Sequence, residues 1–184
     1  MARYEQLIAL IAECKPHKII EVGTHNGARA ILMCREALRY HAAVHYLGFD
    51  LFDKDTPEIN RQESNGKGAG DYAKASRELS LIRRDHIGFA FTLVKGNTRR
   101  TLHGQNIIGD FVFIDGGHSV ETIRGDYEAL KGSRLIAFDD YYTRGIDTEK
   151  FGCNAIVDAL DPVIMPVVDH TRDGASICIA VVRR

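Results

Sequence analysis

Apolar and polar positions along this chain fall into blocks whose period changes repeatedly between helical and extended. Leu7, Ile8, Leu10 and Ile11 recur at helical spacing, so residues 1–16 are predicted to open the chain as an amphipathic helix ending near Lys15-Pro16. Short, almost continuous apolar runs then predict five strands: "KIIEVG" (18–23), "AVHYLGFDLF" (43–52), "FAFTLVKG" (89–96), "DFVFIDGG" (110–117) and "SRLIAFDD" (133–140). Helical patterns separate or follow them at 28–40, 71–86, 119–132 and 153–160, with Ser119 as an N-cap. "PVIMPVVD" (162–169) and "ASICIAVVR" (175–183) flank the turn-rich "HTRDG", which predicts a closing antiparallel hairpin.

Strands alternating with helices imply an α/β fold: a Rossmann-like, doubly wound, mostly parallel sheet of seven strands with a C-terminal antiparallel hairpin. Strands apolar on both faces agree with helices covering both sides. In such sheets ligands bind beyond the carboxyl ends of the strands, near the point where strand order reverses. That rule lines Gly23, Asp50, Gly96, Asp115 and Asp139 along one rim. The polar, glycine-rich stretch 53–71 can bury little and is expected to be a mobile loop, placed to act as a lid. The whole chain, 1–184, reads as a single domain.

Composition narrows the function classes. Hydrophobic content of 45% and charged content of 27% are those of an ordinary globular protein. A net charge of −1 gives no footprint for nucleic acid or an anionic membrane, so neither is expected as a partner. No apolar run approaches the roughly 20 residues that span a bilayer. Glu5 and Glu13 interrupt the first apolar pattern and make it a poor signal peptide. Cys14, Cys34, Cys153 and Cys178 are widely spaced with no CxxC pair, as expected of free thiols in a reducing, cytoplasmic setting.

The candidate chemistry lies on the predicted rim. After the first strand, "EVGTHNG" offers a tight turn that brings backbone and a helix N-terminus close to a ligand, and the chain lacks the G-x-G-x-x-G of dinucleotide-binding turns. With Glu21, Gly23 and Gly27 in place, this stretch resembles motif I of the class I S-adenosylmethionine-dependent methyltransferases. That resemblance implies S-adenosyl-L-methionine as cofactor. Asp50, 27 residues after Gly23, stands at the second strand's tip, where one carboxylate accepts both ribose hydroxyls. Phe49, Leu51 and Phe52 are candidates to pack on adenine, and Asn97 in "KGNT" sits where the family places an adenine-contacting loop. The cofactor-binding set expected is Glu21, Gly23, Thr24, Asn26, Gly27, Asp50, Leu51, Asn97 and Asp115.

On the other half of the rim, Asp115 ends one strand and Asp139-Asp140 its neighbour, about 4.8 Å away. Clustered carboxylates resist ionising together unless a cation sits among them, and a hard divalent ion such as Mg²⁺ suits that oxygen set. Strand side chains alternate, so both members of the pair point to one ion only if the backbone turns there. His118, three residues beyond Asp115, is placed to take a proton from a bound hydroxyl.

"FIDGGHSVETIRGDYEALKGSRLIAFDDY" closely resembles the metal-dependent O-methyltransferases of the macrocin and mycinamicin sugar-methylating type, and the likeness runs from about Lys18 to Leu160. It implies that Asp115, Asp139 and Asp140 bind Mg²⁺ or another divalent cation and that His118 is the base. The sequence departs from the family in "KGSRL", where a double-glycine turn is usual, and in a short segment before the first strand. The expected activity is methyl transfer to a hydroxyl of a small molecule or sugar, with homo-oligomerisation left open. Two alternatives stand beside it: a metal-free methyltransferase acting on nitrogen or another acceptor, and a non-catalytic nucleoside-binding module.

Overall fold

Successive residues of the central strands point to opposite sheet faces, and the buried positions sort accordingly. Ile19, Phe111, Phe113, Leu135 and Ala137 pack on one side, and Ile20, Val22, Val112, Ile114, Ile136 and Phe138 on the other. The computed structural model describes residues 3–63, 68–144, 147–167, 169–170, 174 and 176–184. In chain order the elements are α1 (Arg3–Cys14), β1 (Lys18–Val22), α2 (Ala28–Leu38), β2 (Val44–Asp50), α3 (Pro57–Glu63), α4 (Tyr72–Asp85), β3 (Phe89–Lys95) and α5 (Thr98–Thr101). They continue with β4 (Phe111–Ile114), α6 (Val120–Leu130), β5 (Leu135–Arg144), α7 (Asn154–Val157), β6 (Val163–Ile164), β7 (Asp169–His170) and β8 (Ser176–Arg183). Helices α1, α2 and α4 supply Leu7, Leu10, Ile11, Met33, Leu79 and Ile82 to the first face. Helices α6 and α7 supply Ile123, Tyr127, Leu130, Ile156 and Val157 to the second.

The strand order is β3-β2-β1-β4-β5-β8-β6, with β7 also paired to β8. Strands β1 to β5 are parallel, and β8 runs antiparallel to β5, β6 and β7. The short β6 and β7 share one position beside β8, which gives the seven places of the Rossmann-like fold. Pro166, which has no N–H to donate, lies in the break between them. Among the described residues no helix is long and apolar enough to cross a membrane.

Three local departures from the expected elements bear on the rim. First, β5 does not stop at the aspartate pair but continues to Arg144 against β8, with a register slip between Phe138 and Tyr141. Asp140 has a φ of 57°, so the pair sits in a bulge inside the strand. Second, the stretch 53–71 is not wholly irregular: a 3-10 turn spans Phe52–Lys54 and α3 spans Pro57–Glu63, while 64–67 lie outside the described residues. Phe52 anchors its start, being fully buried edge-on to Tyr72 at 5.2 Å. Third, the expected helix over 153–160 is one α turn followed by a 3-10 turn at Asp158–Leu160.

Candidate active site

The chain order reverses between β1 and β4, and there the backbones almost touch. Gly23 has a φ of 95°, and a Cβ on it would lie 1.9 Å from the Asp115 carbonyl oxygen. Only glycine fits so close an approach. The Asp115 N–H in turn donates to the Val22 carbonyl at 2.8 Å. Above this junction opens a cavity of about 430 Å³, bounded by Gly23, His25, Asp50, Leu51, Gly96, Asn97 and Thr98 on one half and by Asp115, Gly116, Gly117, His118 and Thr122 on the other. Tyr4, Arg29, Asp55, Ile59 and Glu63 complete its wall among the described residues.

On the first half, Asp50 is held by main-chain donors. Its Oδ2 accepts the His25 N–H and its Oδ1 the Phe52 N–H, each at 2.7 Å. Burial raises its pKa, and these two N–H bonds work against the rise. Asn97 is the N-cap of α5, its Oδ1 accepting the Arg99 N–H at 2.9 Å.

Four residues expected at the cofactor do not line the cavity. Glu21 has the parity of Ile19 and faces α2, fully buried, where the Tyr46 hydroxyl donates to it and Arg29 Nε lies at 3.4 Å. Thr24 is buried with its hydroxyl 3.0 Å from that of Tyr46. Asn26 accepts the Asp71 N–H at 2.9 Å and so ties the turn to the start of α4. Gly27, with a φ of 79°, lets α2 approach Ala75, where a Cβ would lie 3.2 Å from its Cα. These four build the turn rather than the cavity surface.

On the second half the carboxylates are held by charges. Arg29 Nη2 lies 2.7 Å from Asp115 Oδ2, Arg3 Nη1 3.4 Å from Asp139 Oδ1, and His118 Nδ1 3.3 Å from Asp140 Oδ2. Although burial works against its charge, Asp115 and Glu21 together hold the Arg29 guanidinium above its ordinary pKa. Burial, then the charges of Asp115 and Asp140, push the Asp139 carboxyl well up, with Arg3 opposing. Asp115, His118 and Asp140 each present a possible ligand atom, all within 4.8 Å of one another.

Asp139, expected in that set, lies outside it. The bulge separates the adjacent side chains and sends Asp139 toward α1. The grouping is therefore two carboxylates and an imidazole instead of three carboxylates. Such a set fits a divalent cation, and its nitrogen widens the choice from Mg²⁺ toward borderline transition ions.

Arg29, Tyr4 and Glu63 were not singled out from the sequence. Arg29 did carry a signal: it is the second residue of α2, where a cation opposes the helix dipole and so calls for an anionic partner. Tyr4 and Glu63 reach the cavity from segments whose placement depends on tertiary packing.

A family model described as a methyltransferase domain matches residues 20–141, two-thirds of the chain. The chain belongs to this methyltransferase family. Its match spans the whole rim, from β1 to the bulge in β5. No curated protein matches this methyltransferase. Among solved structures it is similar to a Klebsiella pneumoniae protein described as a candidate O-methyltransferase, with 17% identity, TM-score 0.64, and coverage of 100% of this chain and 81% of that one.

It is also similar to the O-methyltransferase of tomaymycin synthesis from Streptomyces achromogenes, solved with S-adenosylmethionine (13% identity, TM-score 0.61, coverage 98% and 79%). A Bacillus cereus O-methyltransferase in complex with S-adenosylhomocysteine is a third (14%, 0.60, 98% and 80%). At these identities the likeness establishes the fold, that of the class I S-adenosylmethionine-dependent methyltransferases.

Proposed function

We propose that this methyltransferase moves the methyl group of S-adenosylmethionine onto a hydroxyl of a small-molecule or sugar acceptor. The observation that carries the reading is that one cavity joins Asp50 to the Asp115–His118–Asp140 group. Asp50 uses one lone pair of each oxygen on loop N–H groups, leaving capacity for the two hydroxyls of a ribose. The sulfonium carries its own driving force, so the protein's main task is alignment, for which effective molarity supplies on the order of 7 kcal/mol at best. His118, oriented by Asp140 at 3.3 Å, accepts the proton of the acceptor hydroxyl.

The carboxylates of Asp115 and Asp140, with His118 beside them, are the residues that would hold a divalent cation. Bound there, it supplies the Lewis acidity that lowers the acceptor's pKa. One observation favours the metal-free alternative: Arg29 and Arg3 already compensate Asp115 and Asp139. A methyl-transfer assay with and without EDTA, paired with calorimetric titration of Mg²⁺ and Mn²⁺, separates the two. Loss of activity in EDTA with recovery on readdition supports the cation, and full activity in EDTA gives the proton transfer to the His118–Asp140 dyad alone. In either case His118→Ala is expected to lower turnover roughly 10²-fold while keeping cofactor affinity.

The same reading takes residues 53–71 as a lid over the cavity, to which Ile59 and Glu63 already contribute wall. A net charge of −1 supports a small acceptor over nucleic acid, and four free, buried cysteines suit a reducing cytoplasm. Sedimentation of the purified protein tests whether it self-associates.

A further inference from the structure

We infer that Arg29 and Tyr4 form the seat for the carboxylate at the methionyl end of the cofactor. This rests on the cofactor reading above and adds a specificity determinant to it. The cavity wall carries four acids, Asp50, Asp55, Glu63 and Asp115. An amino-acid carboxylate entering such a space is repelled unless a cation receives it. Arg29 is the one arginine or lysine among the described residues of that wall.

Its donors are arranged for the task. Arg29 Nη2 donates to the Gly23 carbonyl at 2.9 Å and to Asp115 at 2.7 Å, Nε lies 3.4 Å from Glu21, and Nη1 donates one hydrogen to the Tyr4 hydroxyl at 3.1 Å. A guanidinium has five N–H donors, so one Nη1 hydrogen is unspent on these partners. The Tyr4 oxygen accepts from Arg29, which leaves its own O–H to donate. Two neighbouring donors are what a carboxylate binds best. They are also fixed in advance: Glu21 and Asp115 hold the guanidinium on one side, and the rings of Tyr4 and Phe113 lie 5.4 and 5.8 Å from it. A preorganised donor pair spends little entropy on binding.

Calorimetry with S-adenosylhomocysteine and 5′-methylthioadenosine tests the inference, because the second ligand keeps the nucleoside and thioether but lacks the amino acid. The unaltered protein is expected to prefer S-adenosylhomocysteine by at least roughly 10-fold. Arg29→Met should weaken that ligand roughly 10- to 100-fold, the cost of losing hydrogen bonds to a charged group, and leave methylthioadenosine unchanged. Removing Arg29 also strips compensation from Glu21 and Asp115, so Tyr4→Phe serves as the second variant. It should cost S-adenosylhomocysteine roughly 3- to 10-fold and methylthioadenosine nothing. The inference is overturned if the unaltered protein binds both ligands equally, or if the preference survives Arg29→Met. Should Arg29→Met fail to fold, an unchanged preference in Tyr4→Phe overturns it alone. Binding of neither ligand to the unaltered protein removes the cofactor reading itself, a result distinct from the others.

Discussion

The two halves of the rim hold their carboxylates by different means. On the β1–β2–β3 side, Asp50 rests on N–H groups of residues 25 and 52, close to it along its own strand tip and the neighbouring one. On the β4–β5 side, Asp115, Asp139 and Asp140 depend on Arg29, Arg3 and His118, contributed by two helices and a loop. Main-chain donors fix one anion rigidly without adding a charge. Side-chain cations can compensate several crowded anions, and they can be rearranged when a ligand arrives. The first arrangement suits recognition of neutral hydroxyls, and the second suits a place where charge changes during reaction.

The largest expected effect comes from forcing the halves apart. Gly23→Ala would drive a Cβ into the Asp115 carbonyl at 1.9 Å, from a φ of 95° that disfavours any side chain. Neither backbone can yield without moving a central strand, so a loss of about 4 kcal/mol or more is expected in urea denaturation. Gly104→Ala is the control, with a φ of 76° but no atom within 4 Å, and should cost only about 1 kcal/mol. Equal losses in both variants would mean that strain at glycine, and not contact between the halves, governs the junction.

The same contrast explains what could be read from the sequence. Apolar runs and turn residues located the central parallel strands, and with them the tips carrying Gly23, Asp50 and Asp115, because strand period and turn chemistry are local properties. Glu21 was expected at the cofactor from motif resemblance, yet strand parity with Ile19 turns it toward α2. The bulge at Asp139-Asp140 was not legible, since it arises from pairing with β8, 36 or more residues further along the chain. Arg3 and Glu63 were invisible for a related reason: each reaches the rim through the packing of a distant helix.

A pH experiment sharpens the comparison at intermediate size. Burial pushes the Glu21 carboxyl up to about 7 from an ordinary 4.5, outweighing Arg29 and the Tyr46 hydrogen bond. The folded protein therefore keeps a proton that the unfolded chain releases between these values. This contribution to stability is full below pH 4.5, falls as pH rises, and is gone above about 7, with an upper size of about 3 kcal/mol. Glu21→Gln, neutral throughout, should flatten that part of the stability–pH curve. A residual slope of the same sign should remain from Asp126, which burial raises to about 6. An unchanged curve in the variant would show that the Arg29 network keeps Glu21 ionised.

The smallest expected effect concerns the bridge between the lid and the charged half. Glu63, at the end of α3, accepts the Ser119 N–H at 3.0 Å, the Ser119 hydroxyl at 2.8 Å and the Thr122 hydroxyl at 2.9 Å, while its carbonyl accepts the His118 N–H at 3.0 Å. Its carboxylate thus sits on the N-terminus of α6, where a negative charge is favoured by roughly 0.3–1 kcal/mol. Glu63→Gln keeps the shape and removes the charge, so global stability should fall by no more than about 1 kcal/mol. Local opening should respond more clearly, because α3 has no buried residue of its own to resist it. Amide exchange over 57–63 is expected to quicken roughly 3- to 5-fold, the counterpart of about 0.7–1 kcal/mol, and S-adenosylhomocysteine should dissociate faster. If exchange there quickens while dissociation does not, the segment packs on the rim without gating it. If neither changes, the carboxylate caps α6 through hydrogen bonds that the amide reproduces, and the charge plays no part in holding the lid.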